Sequence, residues 1–324
     1  MKFRHLGLIL AVQAAALAAD PGLLKMVMPD AKVVAGIQVA KSRDSLFGQF
    51  VLSHMHLDDG GFKKFTAQTG LDPLRDVSEV LIASNWESNS SENRWLVLAR
   101  GVFDVHKIAH AAEVNGARIV NFQGVDVYAY SSRANSEEEN GVAFIDASTA
   151  LLGDLGAVKG AIERRKGTVT LNDAVLAKVN DVSGKNDFWF VTLVPVSEFA
   201  GAMPDANLSG AMQGNLLAGI SQASGGVRFG DTVAFSAEAV ARSDKDAQAL
   251  VDVVKFVASM VQTNRQNNAT AGQVATLLDG LDCKAAGNVT SISLAIPESQ
   301  IEQMLRSFQQ ESHPARKRPP ALVN

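Results

Sequence analysis

The sequence predicts an α+β fold built as two similar halves, each a largely antiparallel sheet with helices covering one face. Three observations carry that expectation. Short β-branched apolar runs follow one another across tight turns, and neighbours joined that way pair antiparallel. Strand ends are repeatedly followed by a small capping residue and then a stretch of helical period. Of 324 residues, 47% are hydrophobic and 20% charged, the balance of a chain with a buried core rather than a disordered one.

Residues 1–19 form the first unit. Lys2, Arg4 and His5 open it, Leu6 to Ala15 follow as an apolar run broken only by Gln13, and Ala16-Leu17-Ala18 places small residues where a signal peptidase reads them. The run is about fourteen residues at most, short for a membrane span, and Asp20-Pro21-Gly22 follows it. A secretory signal cleaved near Ala18 or Ala19 is the expectation, with no cysteine nearby for lipid attachment.

Lys32 to Ala40 reads as the first strand of the mature fold. Ser42 to Met55 carries Leu46, Phe47, Phe50, Val51 and Met55 at helical spacing with Ser42 as its cap, and Gly61 to Thr69 predicts a second helix stopped by Gly70. Strands at Glu79 to Ser84 and Trp95 to Arg100 bracket a polar hairpin loop. The second leads through Asp104 into a helix bearing Val105, Ile108, Ala109 and Ala112. Val125 to Tyr130 and Val142 to Ile145 flank the acidic tip Glu137-Glu138-Glu139, and Ala150 to Leu152 leads through Asp154 to a helix with Val158, Ala161 and Ile162.

The order then returns. Gly225 to Phe229 pairs with Val233 to Val240 across Gly230-Asp231. Ser243 with Asp246 three residues on opens the long helix Lys245 to Gln262 as a capping box. Thr290 to Ile296 leads to Pro297 at the start of a final helix. The recurrence divides the chain into a first half at 20–175, a second at 176–310, and a basic Pro-rich tail at 311–324.

Composition excludes some functions. The formal charge of −4 becomes −6 once Lys2 and Arg4 leave with the signal, so no basic face for nucleic acid is expected. Cys283 is the single cysteine, so an exported chain of this length must be stable without an internal disulfide, a habit of bacterial exported proteins. The sequons at Asn89, Asn207, Asn268 and Asn288 are then chance triplets.

The sharpest chemical motif is His54-Met55-His56-Leu57-Asp58-Asp59-Gly60-Gly61. It looks like the H-x-H-x-D-H signature of the metallo-β-lactamase fold, in which imidazoles and a carboxylate hold zinc and activate water. Asp59 stands where that family has His, and its later His ligands have no counterpart here. His54, His56 and Asp58 are therefore the metal candidates, set against the simpler reading of a helix end running into a Gly-Gly turn. His106 and His110 share a helix face without the Glu of H-E-x-x-H. Gly219-Ile220-Ser221 lacks the second glycine of a nucleophile elbow, and Gly153, Gly156 and Gly160 lack dinucleotide spacing. Cys283 reads as a packing residue and the Glu137–Glu139 run as a solvated tip. No catalytic residue and no cofactor are assigned.

Phe65 to Ser84, the run Trp95-Leu-Val-Leu-Ala-Arg-Gly-Val-Phe-Asp104, and Thr149 to Asp154 with its helix through Arg164 resemble uncharacterised exported proteins of acidobacterial type. The resemblance implies export and fold, and no activity. The expectation is a bacterial periplasmic or secreted protein that binds a small ligand or an envelope protein, or scaffolds it, without catalysis. Neither nucleic acid nor a transmembrane segment is involved, and Arg316, Lys317 and Arg318 offer weak envelope contact. The alternative is a metal-dependent hydrolase using His54, His56 and Asp58.

Overall fold

Twelve short runs, many of them alternating apolar and polar residues, produce one continuous antiparallel sheet. The computed structural model describes residues 18–53, 66–87, 92–131, 139–202, 218–263, 265 and 269–311. Its strands are β1 Val33–Ile37, β2 Val77–Ser84, β3 Trp95–Gly101, β4 Arg118–Phe122, β5 Val125–Ser131, β6 Glu139–Asp146, β7 Thr149–Asp154, β8 Phe188–Thr192, β9 Ile220–Arg228, β10 Thr232–Ala241, β11 Asp282–Ala286 and β12 Val289–Pro297. They lie in the order β11-β12-β10-β9-β8-β1-β2-β3-β7-β6-β5-β4.

The helices, in chain order, are α1 Pro21–Leu24, α2 Val39–Ser42, α3 Leu46–Ser53, α4 Pro73–Asp76, α5 Val105–Val114, α6 Leu155–Arg164, α7 Asp173–Lys185, α8 Asp244–Thr263, α9 Ala269–Leu277 and α10 Glu298–Glu311. Their starts follow local chemistry. Asp104 Oδ1 accepts from the Lys107 N–H at 3.1 Å, opening α5. Ser243 Oγ accepts from the Asp246 N–H at 3.1 Å and donates to the Asp246 carboxylate at 2.9 Å, opening α8. Ser42, expected as a cap, instead ends α2. Ser45 Oγ takes the Gly48 N–H at 3.2 Å, so the cap falls three residues later.

Helices lie on both faces of the sheet, which corrects the expectation of one covered face. Along β2, Leu81 and Ala83 join a core with Val158, Ala161 and Ile162 of α6 and Val175, Val179 and Val182 of α7. Val80, pointing the other way, borders a separate core holding Val39 of α2, Leu52 of α3 and Ile108 of α5. We call these the first and second faces. The physical reason was in β1: Val33-Val34-Ala35-Gly36-Ile37 is apolar at every position, the pattern of a strand buried on both sides. Farther along, Ile220 and Ala239 pack with Leu250 of α8, and Val233 and Ile296 with Ile301 of α10, all on the second face.

The two halves expected on either side of residues 175 and 176 share this one sheet, with β1 and β8 as neighbours, and residues 175 and 176 themselves lie inside α7. At that junction Gly36 pairs with Trp189 on one side and Leu81 on the other. A Cβ there would stand 2.5 Å from the buried indole, so only glycine lets the three strands close.

Candidate functional site

Face usage changes beyond β8. On the second face α8, α9 and α10 cover β9 to β12. On the first face α7 packs on β8 and β9 and touches β10 through the Lys178 side chain, and among the described residues no helix packs on the rest. Strand pairing brings Ser224 opposite Glu238, Ser236 opposite Ser293, and Glu238 opposite Ser291, so one row of first-face side chains runs Ser224, Ser236, Glu238, Ser291 and Ser293. Asp282 and Lys284 of β11 complete it at the sheet edge. With the C-terminal end of α7 this row bounds an open groove of about 290 Å³.

The groove mixes apolar surface with polar side chains whose charges cancel. Lys178 Nζ donates to Glu238 Oε2 at 2.6 Å, Lys185 pairs with Asp181 at 2.5 Å, and Lys284 with Asp282 at 2.6 Å. Three cations thus meet three anions around a floor of hydroxyls. Ser236 Oγ donates to Asn186 Oδ1 at 3.3 Å, and Asn186 Nδ2 donates back to the Val182 carbonyl at 2.9 Å, which fixes the amide at the end of α7. Such a surface offers hydroxyl donors and acceptors at a strand spacing of about 4.7–4.9 Å. It can exchange hydrogen bonds with a neutral polar ligand without displacing a bound counter-ion.

Sequence reasoning did not single out this row. Its signal was present in Ser291-Ile292-Ser293-Leu294, a strict alternation of hydroxyl and apolar residues, and in Ser236-Ala237-Glu238. What the alternation could not say was that one side of it would stay open.

A second polar cluster ties residues 20–23 to the sheet. Asp20 Oδ1 accepts from the backbone N–H groups of Gly22 and Leu23 at 2.6 and 3.0 Å, and its carboxylate takes Nε and Nη2 of Arg100 at 2.9 and 3.0 Å. Arg100 also donates to Thr149 Oγ1. Burial alone would raise the Asp20 carboxyl, but the Arg100 hydrogen bonds and the two backbone donors outweigh it and hold the group below its ordinary range. Next to it Glu79, 8% exposed, accepts the Asp20 N–H at 3.0 Å, and burial pushes its carboxyl upward.

The metal candidates His54, His56 and Asp58 lie outside the described residues. Among the described residues no group of three or more His, Cys, Asp or Glu is placed to hold a metal ion. His106 and His110 stand exposed on α5. Ser221 Oγ donates to the Val240 carbonyl at 3.0 Å, a strand contact rather than a nucleophile's setting. Cys283 is buried on the second face, and desolvation lifts its thiol above the ordinary range despite Lys255. Of the acidic tip only Glu139 is described, paired with Arg118 at 2.6 Å. Residues 1–17 and the tail from 312 onward, with Arg316, Lys317 and Arg318, are outside the described residues. No helix of the described residues is long and apolar enough to cross a membrane.

No protein-family model matches this chain, and no curated protein matches it. Among solved structures, one titled "Structure of crystal form I of TP0453" superposes with a TM-score of 0.46 at 12% identity, covering 90% of this chain and 98% of that one.

Proposed function

We propose that this is an exported bacterial protein of the periplasm or cell envelope that binds or scaffolds without catalysis, using the open first face of β9 to β12. The observation that carries the reading is the uncovered, hydroxyl-floored groove rimmed by three internally neutralised ion pairs. Its chemistry suits a neutral, hydroxyl-rich or amide-rich ligand, such as a glycan or peptide segment of the envelope, over a polyanion. Export rests on the signal-like residues 1–19, and the basic residues Arg316, Lys317 and Arg318 add a weak envelope contact.

The duplicated organisation is part of the same proposal. Counting outward from the β1/β8 junction, the sheet runs β1-β2-β3-β7 on one side and β8-β9-β10-β12 on the other. In each half a helix follows the third strand and another follows the last, which supports two related α+β units.

Retention on immobilised cell-wall glycan fragments tests the groove. Wild type should be retained, and Ser293→Trp, which fills the floor from an exposed position, should elute with the void. Equal elution of both proteins removes the groove from the reading. The octet His54 to Gly61 supports metal-dependent hydrolysis as the competing reading. Stoichiometric zinc in purified protein, lost in His56→Ala, would favour it.

A further inference from the structure

Burial changes sharply between the first two described residues. Ala18 is exposed, whereas Ala19 is 2% exposed and Leu23, Leu24, Met26, Val27 and Met28 all enter the main core. At that entry two successive backbone N–H groups are held by side chains distant in sequence. Ala19 donates to Ser183 Oγ of α7 at 3.1 Å, and Asp20 donates to Glu79 Oε1 of β2 at 3.0 Å. Glu79 is a buried carboxylate that also takes a hydrogen bond from Gln38, and among the described residues no Lys or Arg nitrogen lies within 4 Å of it; the neighbouring Arg100 binds Asp20 directly and attracts Glu79 only from farther off. A buried acid with hydrogen bonds but no direct countercharge is costly.

We propose that signal-peptide cleavage after Ala18 supplies that countercharge: the new α-ammonium of Ala19 stays on Ser183 Oγ and faces Glu79. This rests on the export reading above. Cleavage hydrolyses the Ala18–Ala19 amide with one water, leaving the Ala18 carboxylate on the leader and an amine on Ala19 that takes up a proton. Successive backbone nitrogens are at most about 3.7 Å apart, so the ammonium lies within about 6.7 Å of Glu79 Oε1. Before cleavage the same nitrogen is a neutral amide. Ala18 is at the surface, so the scissile bond begins at an exposed residue. The fold is thereby less stable with the leader attached and tightens when it leaves, a useful order of events for a chain exported unfolded.

N-terminal sequencing of the exported protein should return Ala19 as the first residue. The stability of this species is then compared with one extended by Gly-Ser-Ala18, with and without Glu79→Gln. The processed form should have a folding equilibrium constant at least about tenfold larger than the extended form, and the advantage should vanish in Glu79→Gln. On the unmutated processed protein, acylation of the α-amine at pH 7 should be slower when native than when unfolded. A chain that is not exported overturns the export reading together with this inference, and an exported chain that stays uncleaved overturns the inference alone. Cleavage at Ala19 with no stability difference, or one that persists in Glu79→Gln, overturns the inference and leaves export standing. A first residue at any other position also overturns it.

Discussion

Adding a single methyl group at Gly36 should destabilise the junction between β1, β2 and β8. The Cβ of Gly36→Ala would stand 2.5 and 2.6 Å from Trp189 Cζ2 and Cε2, and 2.8 Å from Leu81 Cδ2. Carbon pairs prefer about 3.5–4.0 Å, so one of these groups must retreat by roughly 1 Å. Neither is a flexible end: Trp189 is 1% exposed and Leu81 wholly buried. Overpacking of this kind costs about 1–3 kcal/mol, which at about 2.1 cal/mol/K of unfolding entropy per residue lowers the Tm of a chain of about 300 residues by roughly 1.5–5 °C. Thermal unfolding followed by circular dichroism reads the shift. Gly156→Ala is the control, because a Cβ there meets nothing within 4 Å and alanine favours the helix by up to about 1 kcal/mol. In a Trp189→Phe background the smaller ring withdraws the offending atoms, so Gly36→Ala should cost at least about 1 kcal/mol less than in wild type. The reasoning is refuted if Gly36→Ala melts with wild type, or if its cost is unchanged in the Trp189→Phe background.

Three further outcomes are expected. Ser243→Ala removes the cap of α8 and should cost about 1 kcal/mol in denaturant midpoint analysis, with Ser243→Asp close to wild type. Asp76, held by the Arg75 guanidinium and the Asp72 backbone N–H, should titrate at about 2 by carboxyl-carbon NMR. Its pKa is depressed on folding, so its contribution is present above the unfolded value near 4 and is lost as pH falls toward 2; Arg75→Gln should move the midpoint upward. Cys283, buried and with its thiol raised, should resist a thiol reagent at pH 8 in the native protein and react fully in denaturant. Native-state labelling at the denatured rate would contradict its placement beneath α8.

Much of the local structure was readable because short-range chemistry decides it. Asp104 and the Ser243/Asp246 pair cap helices where the spacing placed them, and β2, β3, β7, β10 and β12 fall on the apolar runs that announce them. The elements that escaped have weaker local signals. β4, Arg118–Phe122, and β11, Asp282–Ala286, are edge strands with few buried residues. The boundary expected between residues 175 and 176 falls inside α7, whose buried Val175, Val179 and Val182 sit at helical spacing among polar neighbours. β8 follows it as a run of aromatic and β-branched residues that only its pairing with β1 completes.

By itself the sequence determined the class of fold, the antiparallel pairing of successive runs, the capped helices, and the signal-like start that makes export the reading to test. These depend on residues within a few positions of one another. Only the tertiary structure decided that all twelve strands join one sheet covered on both faces, and that among the described residues no helix packs on the first face beyond β9, where Ser236, Ser291 and Ser293 are exposed. It alone brought Glu79 to Asp20 and Ser183 to Ala19, across 59 and 164 residues. Such contacts follow from strand order and helix placement, which many local patterns permit and only the packing of the whole chain selects.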